Sequence, residues 1–147
     1  MYRQSEKITA LYCRLASYDA EMDVSTTQSQ MERLSEYAET HGLHNPHFFC
    51  DWGFSGTNDN RPEYQRMLRE IEAGNVTNLV VSSFSRLSRS YMDCNKLMED
   101  ILPQHGVTFH SVQDQIVHTP EKLEALAAES KDLRTRLLRQ RKKGGRK

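Results

Sequence analysis

Apolar and polar positions along this chain switch repeatedly between a strand period and a helix period. Lys7 to Leu15, KITALYCRL, is apolar almost throughout and rich in strand formers, the pattern of a strand buried on both faces. After a polar stretch, TQSQMERLSEYAETHG places Met31, Leu34, Ala38 and His41 on one helical face and predicts a helix ending at Gly42. HFFCDW predicts a second strand. FSGTNDN reads as a loop, with Ser55, Gly56, Asp59 and Asn60 as turn formers. A helix is expected from about Arg61, with Asn60 as its cap and Pro62 in the first turn. Its stripe is Tyr64, Met67, Leu68 and Ile71, and Gly74 ends it. NLVVSSF predicts a third strand. SRLSRS then leads into a helix with Tyr91, Cys94, Leu97, Met98, Ile101 and Leu102 on its apolar face, closed by Pro103 and Gly106. GVTFHSV predicts a fourth strand. This alternation predicts an α/β fold with a mostly parallel sheet flanked by helices.

The pattern changes after residue 118. Thr119-Pro120-Glu121 supplies a cap, a proline at the first helical position and an acid in the first turn. Leu123, Leu126, Ser130, Leu133 and Leu137 then recur at spacings of three and four, a narrow heptad-like seam on a long C-terminal helix. The seam suits packing on its own domain or on a partner helix, and the charged residues around it favour the partner. The expected organisation is a sheet domain over 1–118 and a long basic helix and tail over 119–147.

Composition narrows the class. A chain of 147 residues accommodates one domain with a real core. With 37% apolar and 27% charged residues it reads as soluble and globular. No apolar run approaches the roughly 18 residues that cross a membrane. The polar start MYRQSEK is unlike a signal peptide, so a cytoplasmic location is expected. Cys13, Cys50 and Cys94 are odd in number and widely spaced, as reduced thiols are. The formal net charge of zero conceals an asymmetry. Lys131 to Lys147 holds nine Lys or Arg against one acid, Asp132, and the rest of the chain carries the opposite excess. Such a tail points to a polyanion, most commonly nucleic acid.

Arginines also gather where strands are expected to end. Arg14 closes the first strand, Arg86 and Arg89 follow the third at a spacing of three, and Arg61 opens a helix. Ligands of open parallel sheets collect at those strand ends, and converging guanidinium forks suit a phosphate. Ordinary surface arginines are the alternative. His41, His44, His47 and Cys50 follow one another at intervals of three, but Gly42, Pro46 and a strand interrupt them, so no metal site is expected. No glycine-rich phosphate loop is present.

Four segments in order, YCRL, Gln30 seven residues before Tyr37, DWGFSGTNDNRPEYQRMLREIEAG and SRLSR, closely resemble the catalytic domain of serine site-specific recombinases. The resemblance runs from about Ile8 to Val112 and is nearest to the large serine integrases. It implies a resolvase-like fold that acts on double-stranded DNA without metal or other cofactor. It also implies a serine that attacks the scissile phosphate, and dimers that join into tetramers through a long helix. Arg14, Arg61, Arg86 and Arg89 match the family's phosphate-binding arginines, and Gln30 and Ser55 match further polar site positions. The nucleophile should stand two residues after Arg14, and that residue is Ala16.

A methyl group cannot attack phosphorus. Ser17 could replace it only if the strand end bulged by one residue, because a shift of one reverses the face. The chain therefore reads either as a naturally inactive relative or as one whose serine was replaced for study. Ser88 in place of the usual glycine, and Ser17 and Tyr18 in place of charged residues, favour the first. Over these 147 residues the family's separate DNA-binding domain is not expected. DNA affinity is accordingly expected from Arg134, Arg136, Arg139, Arg141, Lys142 and Lys143. The expected function is DNA binding and assembly in site-specific recombination, as a homodimer or higher oligomer, with little or no cleavage of its own. Two other functions stay open: an active recombinase that uses Ser17, and a regulatory subunit that forms a hetero-oligomer with an intact recombinase.

Overall fold

Residues 7–15, 23–52, 61–83 and 95–144 are described in the structure, a computed structural model. Five strands form one sheet: β1 (Ile8–Leu15), β2 (Pro46–Trp52), β3 (Val76–Val81), β4 (Thr108–Ser111) and β5 (Ile116–His118). Their spatial order is β2-β1-β3-β4-β5, with the first four parallel and β5 antiparallel to β4. Helix α1 (Asp23–Thr40) follows β1, and α2 (Pro62–Glu72) follows β2. Helix α3 combines a π-helical turn, Leu97–Ile101, with Leu102–Gln104, and α4 (Pro120–Gly144) is the long C-terminal helix.

The sheet has a core on each face. Ala10 and Tyr12 of β1 pack with Phe49, with Tyr64, Met67 and Ile71 of α2, and with Leu97 and Leu102 of α3. Leu11 and Cys13, on the opposite pleat of the same strand, pack with Val80 and with Leu34 and Ala38 of α1. The near-continuous apolar run of β1 is thus explained by a helix layer on either side.

The helix ends follow the predicted glycines. At the end of α2 the amide of Asn75 donates to the Glu70 carbonyl and that of Gly74 to the Ile71 carbonyl. Gly74 takes a φ of 81°, which a side chain would strain. The same pair of bonds recurs at Gly42 and Gly106. The start of α4 is also as expected, with the Thr119 hydroxyl accepting from the Lys122 amide.

Other features depart from the expectation. Helix α1 begins at Asp23, four residues before the predicted Thr27, and the short strand β5 has no counterpart in the predicted elements. The π-helical turn immediately precedes Pro103, whose missing N–H and bulky ring disturb the regular ladder. His41 lies just past α1 and is exposed, stacked on Tyr37 instead of joining the core. Asn60 falls outside the described residues. The cap position of α2 is Arg61, whose own side chain makes no capping bond.

The leucines of α4 divide. Leu123 is buried in the sheet core and Ala127 beside it is buried too. Leu126, Leu133, Leu137 and Leu138 are exposed, Leu133 by 56%. Ion pairs run alongside, Arg134 to Glu99 at 3.0 Å and Lys131 to Asp100 at 3.9 Å, tying α4 to α3. The start of the seam therefore packs in cis, while its distal part faces solvent. No helix among the described residues is long and apolar enough to cross a membrane.

Candidate functional site

Strand order puts the topological switch at β1. Its neighbours are β2 on one side and β3 on the other, and the helices that follow β1 and β2 cover opposite faces. Open α/β sheets bind ligands in the crevice beyond the carboxyl ends of such strands. Arg14 is the penultimate residue of β1.

Asp51, near the carboxyl end of β2, organises this end of the sheet. It pairs in register with Arg14 of β1, and its side chain is 1% exposed. Oδ1 accepts from the Glu63 amide at 2.9 Å, and Oδ2 accepts from the Tyr64 amide at 3.0 Å. These two donors at the start of α2 have no partner within the helix, so Asp51 supplies the cap that Arg61 does not. Oδ2 also accepts from the Tyr12 hydroxyl at 2.8 Å. One buried carboxylate thereby joins β1, β2 and α2.

Arg61 is fixed by the same assembly. Only 7% of it is exposed, and its guanidinium lies 4.0 Å from the centre of the Tyr64 ring. Its positive charge acts on the Tyr12 hydroxyl. Burial holds that hydroxyl well above the ordinary tyrosine range; the bond to Asp51 and its charge add to this, and Arg61 partly opposes them. Tyr12 therefore stays protonated and can keep donating to Asp51. Arg14, two residues beyond Tyr12, projects to the same face of β1. Arg61 and Lys96 line a groove between α2 and α3 of about 320 Å³.

Of the residues singled out from the sequence, Arg14 stands in register with Asp51, and Arg61 is buried over the ring of Tyr64, whose amide Asp51 caps. Gln30 is on α1, which packs on the other face, and its Oε1 is buried with no hydrogen-bond partner among the described residues. A buried acceptor left in that state is costly until a donor reaches it. Ala16, Ser17, Ser55, Arg86 and Arg89 lie outside the described residues. Arg134 and Arg136 are exposed on α4 and ion-paired, the latter to Asp132 at 2.9 Å, and Arg139 is exposed. The backbone of Arg141, Lys142 and Lys143 continues the helix. His41 and His47 make local contacts, with the Tyr37 carbonyl and the Asn45 side chain respectively. Among the described residues no three His, Cys, Asp or Glu side chains are placed to hold a metal ion.

Sequence reasoning missed Asp51 and Tyr12. The signal was present: an acid inside the otherwise apolar strand HFFCDW has to find donors when the strand is buried. Chemically, the arrangement fixes a guanidinium at the start of α2, on the side of the sheet to which Arg14 belongs. A guanidinium held in this way needs little further ordering to make a charge-assisted hydrogen bond.

Comparison with known proteins agrees with this fold. The chain matches the family model described as Resolvase, N terminal domain, over residues 9–147. No curated protein matches it. Among solved structures, the N-terminal catalytic domain of TP901-1 integrase is similar, with 25% identity and a TM-score of 0.65 over 95% of this chain and 99% of that one. A serine recombinase from Sulfolobus solfataricus shares 25% identity, with a TM-score of 0.56 over 73% of this chain and 68% of its own. A resolvase family site-specific recombinase from Streptococcus pneumoniae has the same fold, at 22% identity and a TM-score of 0.64, covering 96% and 99%. The five-stranded sheet, its flanking helices and the family match over nearly the whole chain lead to one conclusion: this protein belongs to the resolvase family and is a serine-recombinase-like domain of site-specific recombination.

Proposed function

We propose that this chain is a cytoplasmic protein that binds double-stranded DNA and assembles on it through α4, while lacking strand cleavage of its own. The observation that carries the reading is the placement of Arg14 in register with the buried Asp51 and of Arg61 over the ring of Tyr64, whose amide Asp51 caps, next to a sequence that offers Ala16 where the family's nucleophile is expected. A prepared phosphate site with no hydroxyl can hold DNA but cannot form an ester with it. Arg86, Arg89, Gln30 and Ser55 complete the site in this reading. The sheet domain, 1–118, holds the scissile region, and residues 119–147 supply general affinity through backbone phosphates.

Assembly is supported by the exposed Leu126, Leu133 and Leu137, which lie on one stripe of α4. Ser130 interrupts that stripe, so a concentration-dependent dimer fits better than an obligate one. A hetero-oligomer with an intact recombinase uses the same surface, which would make the chain a regulatory subunit.

The test restores the hydroxyl. Ala16→Ser should gain a covalent protein–DNA adduct on the element's end DNA, and Arg61→Ala in that background should lose it. Failure of Ala16→Ser to form any adduct, with duplex binding unchanged, would show that the arginine site is not arranged for the reaction. Sedimentation tests the assembly. Leu126→Glu with Leu133→Glu should give a folded monomer, and a monomer at every concentration for the unmodified chain, alone or mixed with an intact recombinase, contradicts it.

A further inference from the structure

Cys13 and Cys50 are register partners on the adjacent parallel strands β1 and β2, on the face covered by α1. Neighbouring strands lie about 4.8 Å apart. Disulfides span Cα separations of about 4.4–6.8 Å, so the backbone already meets that requirement. Residues opposite each other in adjacent parallel strands point to one face, and both cysteines belong to the cluster packed beneath α1. Both thiols are free, Cys13 buried and Cys50 half-buried. Nothing in the proposed DNA chemistry uses them.

We propose that Cys13 and Cys50 form a redox pair that hydroperoxides convert into a reversible intramolecular disulfide. The accessible Cys50 reacts first. Its thiolate attacks one peroxide oxygen, the O–O bond breaks, and the departing hydroxide takes a proton to leave as water, giving a sulfenic acid on Cys50. The Cys13 sulfur then attacks the Cys50 sulfur. The S–O bond breaks, the Cys13 proton goes to the leaving hydroxide, and a second water departs. Two thiols have lost two electrons and two protons, and one peroxide has become two waters.

The surroundings suit this division of roles. The neighbouring Cys13 thiol lowers the Cys50 pKa, against burial and the negative charges of Glu63 and Asp51. The proximity of Cys50, with burial, raises the Cys13 pKa, so that thiol stays protonated until its partner is oxidised. In-register neighbours also hold their Cβ atoms near the strand spacing, wider than the roughly 3.8 Å of a relaxed disulfide. The link is therefore strained, and strained disulfides are the more easily reduced. Each cysteine directly precedes a member of the Arg14–Asp51 pair, so the link forms one peptide away from the candidate site.

The experiment treats the reduced full chain with hydrogen peroxide, quenches it with an alkylating agent, and counts thiols after denaturation. The three thiols of the chain should fall to one, with Cys94 the residue alkylated. Peptide mapping without reduction should recover a Cys13–Cys50 link within a single chain, which dithiothreitol reverses. Cys94→Ser should form the same link and Cys50→Ser should not. The proposal is overturned if Cys50 advances to sulfinic acid while Cys13 is still alkylated, if the links run through Cys94, or if all three thiols survive. These readouts do not depend on DNA binding, so the two proposals fail separately.

Discussion

Arg61 and Arg136 carry the same guanidinium into opposite settings. Arg61 is held at the start of α2 against the Tyr64 ring and is almost wholly buried. Arg136 lies on the distal part of α4, with 71% of its side chain exposed and Asp132, one turn away, as its partner. A fixed, desolvated guanidinium can select one phosphate position. Exposed cations along a helix instead attract any phosphate backbone and are screened by salt. In the proposed reading the comparison separates two jobs: one region sets where a DNA strand sits, and the other keeps DNA nearby.

The largest effect should come from the buried region. Asp51→Ala removes the cap of α2 and leaves the buried Tyr12 hydroxyl and the Glu63 and Tyr64 amides without their acceptor, which should cost about 3–5 kcal/mol of stability. Asp51→Asn keeps an acceptor and should cost less. Urea unfolding of both variants checks this, and a loss below about 1 kcal/mol for the alanine would break the contrast, since a surface acid behaves that way.

The exposed region should dominate general DNA affinity. If six of the nine cations from Lys131 onward engage phosphates, log affinity should fall against log salt with a slope of about −5. Cutting the chain after Ser130 keeps the buried Leu123 and Ala127 and should abolish most of that slope. An unchanged slope measured by fluorescence anisotropy would move the affinity back to the strand ends.

A third effect concerns the α1 face, where a buried polar group is uncharged. His110 accepts from the Tyr37 hydroxyl at Nδ1 and donates to Asn78 from Nε2, each within 2.9 Å. Burial, and secondarily the nearby His41, lower its pKa to about 4. The folded value lies below the unfolded one of about 6.5, so protons favour the unfolded chain. Stability is complete above pH 6.5 and declines as pH falls toward 4, by at most about 3 kcal/mol from this group. His110→Gln should flatten that part of the pH profile. An equally steep decline in the variant would assign it to other groups.

The smallest effect is expected at Arg136. Its alanine variant should change stability by about 0.5 kcal/mol or less, as exposed pairs do. A loss as large as that of Asp51→Ala would mean that α4 is not solvated as described.

Much of this contrast was legible in the sequence, for identifiable reasons. The three helix-ending glycines, the buried run of β1 and the Thr119 cap are local signals, and each appears where local rules place it. Arg14 and Arg61 were singled out because strand ends can be located from apolar runs. Asp51 was passed over because its partners, the amides of Glu63 and Tyr64 and the Tyr12 hydroxyl, are distant in sequence and adjacent only once β1 and β2 pair. Strand β5 is three residues long and carries too little pattern to register. The leucines of α4 read as one seam because spacing does not reveal where the sheet domain stops covering a helix. That boundary falls between Leu123 and Leu133.

The central claim is that this domain engages DNA without cutting it. The most direct measurement incubates the unmodified chain with the element's end DNA, denatures the mixture and looks for protein attached to a 5′ phosphate. The account predicts duplex binding and no attached protein, because Ala16 offers no hydroxyl. Attached protein from the unmodified chain, lost on Ser17→Ala, would contradict it and make Ser17 the nucleophile.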